Sequence, residues 1–282
     1  MTPKITLTVF LLFLFVLESN AQDLRTEFFP KAERRPNELP DKENTWVFVL
    51  AGQSNMAGRG QVEAIDTIPN PRILTINKAG DLLIAKEPLH FYEPILTGLD
   101  CGLSFGKELL NHVPDSISIV LIPTAVGGSA IGQWINDSTY RDVTLLSNFR
   151  EKLEIGKQFG QIKGILWHQG ETDAAKAETI EIHVEQLRTL FGEFRSAAGN
   201  PNLPILLGEL GSFSKTKKSW RAINFKIRRY VKSDPNAYLI RTGDLNHKGD
   251  SVHFDSDGQR EMGKRFGEKF IDIEAKSAPS HQ

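Results

Sequence analysis

Ser54, Asp250 and His253 are residue types that, brought together, make a nucleophilic alcohol. Serine attacks carbonyls poorly until a neighbouring base takes its proton, and an imidazole does this best when a carboxylate fixes its tautomer. Ser54 lies in Gly52-Gln53-Ser54-Asn55-Met56, directly behind the apolar run Trp46–Ala51. Gly, Ser and Asn also make ordinary turns, so the serine needs a histidine that can reach it. Two Asp-x-x-His pairs offer one, Asp244/His247 and Asp250/His253. Asn246-His247-Lys248-Gly249 reads as a solvated turn, whereas the second pair stands just before a helix opening on the capping pattern Ser256-x-x-Gln259. His253 is therefore expected to take the Ser54 proton and return it to a leaving alcohol, with Asp250 orienting the ring. Acyl transfer also needs donors aimed at the developing oxyanion. The candidates are the backbone N–H of Ser54, the backbone of Gly102 before the helical stretch Leu103–His112, and Gln169.

The elements that must position these residues follow from hydropathy. Runs at Trp46–Ala51, Ile73–Ile76, Ile117–Pro123, Ile162–Trp167, Ile205–Gly208 and Tyr238–Ile240 are continuously apolar, as strands buried on both faces are. Helical periodicity separates them. It is clearest over Thr179–Arg195, where Ile180, Val184, Leu187, Phe191 and Phe194 share one face, and the last helix turns Met262, Phe266 and Phe270 inward. Strands alternating with helices imply right-handed crossovers and an α/β fold, a three-layer α/β/α sandwich on a mostly parallel sheet. Every polar block then falls just after a strand: Ser54, Gly127-Gly128-Ser129, His168-Gln169-Gly170-Glu171-Thr172-Asp173, and Asp250–His253. Those ends share one sheet edge, so residues distant in sequence converge on one cleft.

Taken in order, Gly-Gln-Ser-Asn-Met, Gly-Gly-Ser-x-Ile-x-x-Trp, His-Gln-Gly-Glu-Thr-Asp and Asp-x-x-His-Phe resemble the sialate O-acetylesterase and acetyl-xylan esterase group of the SGNH (GDSL-type) hydrolases. The resemblance runs from about Trp46 to Phe270. It implies a flavodoxin-like sheet and metal-free removal of O-acetyl groups from carbohydrate. It also implies Ser54 as nucleophile, Asp250 and His253 as its partners, and Ser54, Gly102 and Gln169 as the oxyanion site. Broader SGNH enzymes place an asparagine where this chain has the His-Gln-Gly-Glu block. In the resembled group Glu171 orients the histidine in place of Asp250 or alongside it. The other reading of Glu171 is that it holds the loops together by bonding backbone N–H groups.

Several neighbours also invite a role. His168, Glu171 and Asp173 have the chemistry of divalent-ion ligands, but no cysteine or second histidine accompanies them at ligand spacing, so no metal and no cofactor is expected. The stretch Gly52–Gly60 lacks the Gly-Lys-Ser/Thr ending of a phosphate loop, and Ile131 stands where a nucleophile elbow closes on glycine. Asn55, Gly128, Trp134, His168 and Arg59 border the motifs and are candidate substrate contacts. Trp134 reads equally as a platform for a sugar ring and as a buried tryptophan, Arg59 reads as a solvated loop arginine or as the partner of a substrate carboxylate, and Gly128 would shape the cleft.

The 282 residues, 40% hydrophobic and 24% charged with a net charge of -1, suit one soluble domain and give no electrostatic case for nucleic acid or an anionic membrane. Lys4, the apolar stretch Ile5–Leu17 and Ser19-Asn20-Ala21 read as a cleavable leader over residues 1–21, short for the roughly 20 apolar residues of a spanning helix. A secreted or periplasmic protein without membrane attachment is expected. Residues 22–44, with Pro30, Pro36 and Pro40, read as a linker or loosely held arm, 45–273 as the domain and 274–282 as a polar tail. Cys101 is the single cysteine, so no disulfide forms within the chain. The expected function is a serine esterase that deacetylates carbohydrate through an acetyl-enzyme. A non-catalytic carbohydrate binder on the same fold and a general short-chain carboxylesterase are the alternatives.

Overall fold

The apolar run after Asn44 forms the central strand of the sheet, β1 (Thr45–Gly52), in a computed structural model that describes residues 24–277. The expected leader lies outside the described residues. Eight further strands follow: β2 (Ile73–Ile76), β3 (Leu82–Ile84), β4 (Ser118–Pro123), β5 (Thr139–Tyr140), β6 (Val143–Thr144), β7 (Gln161–His168), β8 (Ile205–Gly208) and β9 (Ala237–Ile240). Seven make one sheet in the order β3-β2-β4-β1-β7-β8-β9, with β5 and β6 a separate hairpin. Every pair in the large sheet is parallel except β2–β3. The helices are α1 (Ser54–Ala57), α2 (Gly102–Leu110), α3 (Ile131–Ile135), α4 (Leu145–Phe159), α5 (Ala177–Ala198), α6 (Lys217–Ser233) and α7 (Ser256–Ser277).

Continuous apolarity has a simple cause here, because both faces of β1 are covered. Val47, Val49 and Ala51 join Phe149 of α4 and Leu187, Phe191 and Phe194 of α5 on one side. Phe48 and Leu50 join Phe105 of α2 and Phe266 and Phe270 of α7 on the other. Phe48 meets the Phe105 and Phe270 rings edge-on at 4.7 Å in both cases. Each such buried ring contributes roughly 1.5–3 kcal/mol relative to exposure, so the three-layer arrangement follows directly from where the apolar residues stand. Among the described residues no helix is long and apolar enough to cross a membrane.

Three local expectations change. The α7 capping box does not form. Gly258 N–H donates to Asp255 Oδ1 at 2.8 Å, Ser256 Oγ donates to Gln61 O, and Gln259 Nε2 reaches back to Asn55 O at 2.9 Å. Residues 24–44 lie against the domain rather than hanging loose. Ile84 N–H donates to Arg34 O at 2.7 Å, Asn77 bonds Glu33, and Arg25 Nη1 donates to Thr97 O. The helix α7 continues to Ser277, past the expected end of the domain.

Candidate active site

Gly52 ends β1 with φ +138, and a Cβ there would sit 2.1 Å from His168 O. Only glycine allows that approach of β1 to β7, and the chain then turns into α1 with Ser54 at its start. His253 Nε2 lies 3.0 Å from Ser54 Oγ, and Asp250 Oδ2 lies 2.7 Å from His253 Nδ1. The other Asp250 oxygen, Oδ1, accepts the backbone N–H groups of Val252 at 2.9 Å and His253 at 2.8 Å. Burial raises the Asp250 carboxyl, but these two amides and the imidazole outweigh it and hold the group at about 2. Ser251, between the two, adopts φ +61, a left-handed conformation that costs a non-glycine residue about 1–2 kcal/mol. The rival pair is committed elsewhere. Asp244 pairs with Arg265, and His247 Nδ1 accepts the N–H groups of Gly249 and Ser251, bracing the His253 loop.

Asn55 does not face substrate; it clamps the serine turn to the histidine loop. Its Oδ1 accepts Phe254 N–H at 3.1 Å and its Nδ2 donates to Val252 O at 3.1 Å, so it grips the backbone on both sides of His253. The same Nδ2 donates to Glu171 Oε1 at 2.6 Å. Glu171 therefore braces Asn55, while the histidine's Nδ1 is taken by Asp250. Its Oε2 has no partner, and its side chain lines the cavity beside Ser54.

Four other expected contacts are placed away from that cavity. Gly102 N–H is bonded to Asp100 Oδ1 at 2.6 Å, so it offers no oxyanion donor. Gln169 is fully buried with its Nε2 donating to Ser129 O and Asp173 Oδ2. His168 is buried with Nε2 2.8 Å from Glu209 O. Trp134 donates Nε1 to Ser129 Oγ and packs edge-on against Trp167 and Phe194, a core role rather than a sugar platform. Asp173 receives Ile131 N–H, which fastens α3 to the His-Gln-Gly-Glu loop.

A cavity of about 490 Å³ opens on Ser54, His253 and Asp250, with Gln53, Arg59, Gly127, Gly128, Arg141 and Lys248 among its walls. The sequence marks Gln53 only as part of a turn. Its Oε1 accepts Gly170 and Thr172 N–H at 3.4 and 3.3 Å, which leaves its amide nitrogen as the donor end at the wall. Gly128, at φ +80, brings backbone into the same wall. Arg59 is buried rather than solvated, and it shares one carboxylate, Glu93, with Arg141. Burial raises Glu93, but Arg59, the Gly127 N–H and Arg141 pull it below the usual range. A larger cleft of about 610 Å³ between α5 and α6 is lined by Arg195, Tyr230 and Asp234, which bond one another, and it lies apart from Ser54.

Beneath the serine turn lies a second ionisable cluster. Loop residues 97–99 bond to Ala57, Gly58 and Gly60, and they lead into Asp100, which pairs with His90 at 2.8 Å. Glu87 is fully buried beside Asp100 with Oε1 unpartnered, and its carboxyl is raised well above the usual range by burial and then by the Asp100 charge. A raised folded-state value stabilises the fold below the unfolded carboxyl value, about 4.3, and that contribution is lost as pH rises through the folded value. Glu87→Gln removes the titration. Its melting temperature relative to the parent is therefore expected to climb between pH 4 and pH 8. An offset that stays constant with pH would show that Glu87 does not titrate with folding.

Residues 44–272 match the model of a family described as carbohydrate esterase, sialic acid-specific acetylesterase. A probable carbohydrate esterase of Arabidopsis thaliana is 28% identical over 244 residues, spanning 80% of this chain and 90% of that protein. Its crystal structure superposes with a TM-score of 0.73 at 25% identity, over 82% of this chain and 98% of that one. NanS superposes at 0.69 with 18% identity, over 85% of this chain and all of NanS, a likeness of fold. A carbohydrate acetylesterase of Xanthomonas citri does so at 0.60 with 18% identity, over 79% of this chain and 55% of that one.

Proposed function

Since the chain belongs to the sialic acid-specific acetylesterase family of carbohydrate esterases, and so is a carboxylic ester hydrolase, we propose that it removes O-acetyl groups from sugars through an acetyl-Ser54 intermediate. The observation that carries this reading is the unbroken line from Asp250 to His253 to Ser54 at the mouth of a cavity. His253 Nε2 takes the Ser54 proton as Oγ attacks the acetyl carbonyl, and the ring becomes an imidazolium balanced by Asp250. The negative oxygen of the tetrahedral adduct is met by Ser54 N–H, with the Gln53 amide and the Gly128 backbone beside it. His253 then protonates the departing sugar hydroxyl. Water enters, gives its proton to His253, and attacks the acetyl carbon. Collapse releases acetate and returns the proton to Ser54.

Arg25, Arg59, Arg141 and Lys248 on the cavity wall outnumber Glu171 and Asp250 there and Glu93 behind it, which favours an acidic sugar such as sialic acid over neutral xylan. The leader-like residues 1–21 support export to the periplasm or beyond. Acetate release from O-acetylated sialic acid, acetylated xylan and an aryl acetate tests the substrate. Faster turnover of the sialic acid ester is expected. Equal rates on all three would favour a general short-chain esterase, and sugar binding without acetate release would favour a non-catalytic binder.

A further inference from the structure

We propose that a second cavity next to the one containing Ser54 holds the saccharide that carries the acetylated sugar, so that the enzyme prefers acetylated oligosaccharides to the free acetylated monosaccharide. This rests on the esterase reading above and adds a subsite to it. The cavity measures about 540 Å³ and is lined by Phe91, Tyr92, Asn148, Lys152 and the β5–β6 hairpin. That volume is within the range of about 300–1,000 Å³ in which small-molecule sites fall, and it is comparable to the cavity holding Ser54.

The two cavities share a wall. Arg141 lines both, and Pro94 lines the second while the next residues, Ile95 and Leu96, line the first. Ile95 and Leu96 are 82% and 46% exposed, forming an apolar rim on the first cavity next to Pro94. Surface apolar residues gathered at a cleft mark ligand contact more often than chance.

The dividing wall is also held in a costly shape. Arg141 and Asp142 occupy the two-residue turn between β5 and β6 with φ +49 and +61. That turn geometry ordinarily takes Asn, Asp or Gly, so Asp142 suits it and Arg141 carries the cost. Here the strain is secured by Arg141 reaching Glu93, a side chain only 4% exposed that also binds Arg59 and Gly127 N–H. Strained non-glycine residues persist where surroundings over-determine them, and they gather at ligand sites. Any two-residue hairpin needs left-handed residues; what marks this one is the buried carboxylate that ties its arginine to the wall of the Ser54 cavity.

The chemistry of the second cavity suits a sugar ring. The Phe91 and Tyr92 rings lie 4.6 Å apart, and Tyr92 is fixed through its hydroxyl, which donates to Pro123 O at 3.2 Å and accepts from Asn148 Nδ2 at 2.9 Å. A half-buried Phe91 ring offers an apolar face for sugar C–H groups, with the exposed side chains of Lys78, Arg141 and Glu151 around it for hydroxyls.

The test compares kcat/KM for O-acetylated N-acetylneuraminic acid, free and carried on lactose, and for acetylated xylose against acetylated xylotriose. An aryl acetate is run in parallel. The expected result is that, in whichever series is turned over, the longer substrate is favoured by about tenfold or more, chiefly through KM. Phe91→Ala removes the platform and Thr144→Trp fills the cavity from an exposed position on its rim. Each variant, checked by its thermal unfolding, is expected to bring long and short substrates close to parity. Parity in the parent enzyme with the aryl acetate still hydrolysed would overturn the subsite and leave the esterase standing. A length preference untouched by both variants would overturn it too. If neither sugar esters nor the aryl acetate are hydrolysed, the esterase reading fails and the subsite falls with it.

Discussion

Ser54→Ala and His253→Ala are each expected to lower kcat on an aryl acetate by about 10⁴- to 10⁶-fold while leaving the melting temperature near that of the parent. The two should cost nearly the same, because the hydroxyl at 3.0 Å is useless without its base and the base has nothing to activate without the hydroxyl. Removing both should add little to either, which is the signature of groups acting as a unit. Neither change empties the core: Ser54 stands at the cavity, and His253 is in a loop fastened through its backbone neighbours by Asn55. What remains of the rate should come from the donors around the oxyanion and from binding.

Asp250→Asn is expected to cost about 10³- to 10⁴-fold in kcat, because an amide cannot hold the same imidazole tautomer or balance its positive form. The carboxyl sits at about 2, so it stays ionised throughout the range in which histidines change charge, and the acid limb of the parent's activity should not follow Asp250. The same depressed value gives stability that is present above the unfolded aspartate value, about 3.9, and is lost as pH falls towards 2. Glu171→Gln should be far milder, near tenfold, since Glu171 braces Asn55 rather than the histidine. Combining the two should multiply the losses, to within about 0.5 kcal/mol of additivity. A double variant no worse than Asp250→Asn alone would mean that both carboxylates serve one function.

Much of this site was legible because its signals are local in sequence. An unbroken apolar run forces a buried parallel strand, a strand end in such a sheet is a place for ligands, and the four polar blocks each follow a strand. The choice of His253 over His247 was equally legible, since it turned on which pair adjoined the α7 start. The donors were not. Gly102 and Gln169 both suit the chemistry by residue type, yet where their N–H groups point is settled by Asp100, Ser129 and Asp173, through contacts the chain order does not reveal. Asn55 likewise has the chemistry of a substrate contact, yet its clamp spans 197 and 199 residues of chain. The β5–β6 hairpin escaped notice because two-residue strands have no period to read, and its turn carries Arg141-Asp142 in place of a glycine signal. Hence the second cavity and the Glu93 anchor emerge only when the hairpin is placed.

The most direct measurement is labelling by an organophosphonate fluoride, which reacts with a serine only where a base has activated it. Treatment of the parent enzyme should place one phosphonyl group on the peptide containing Ser54, in step with loss of esterase activity, and His253→Ala should take up almost none. Inactivation with the label on another residue, or full activity after Ser54 is labelled, would contradict the assignment of Ser54 as the nucleophile.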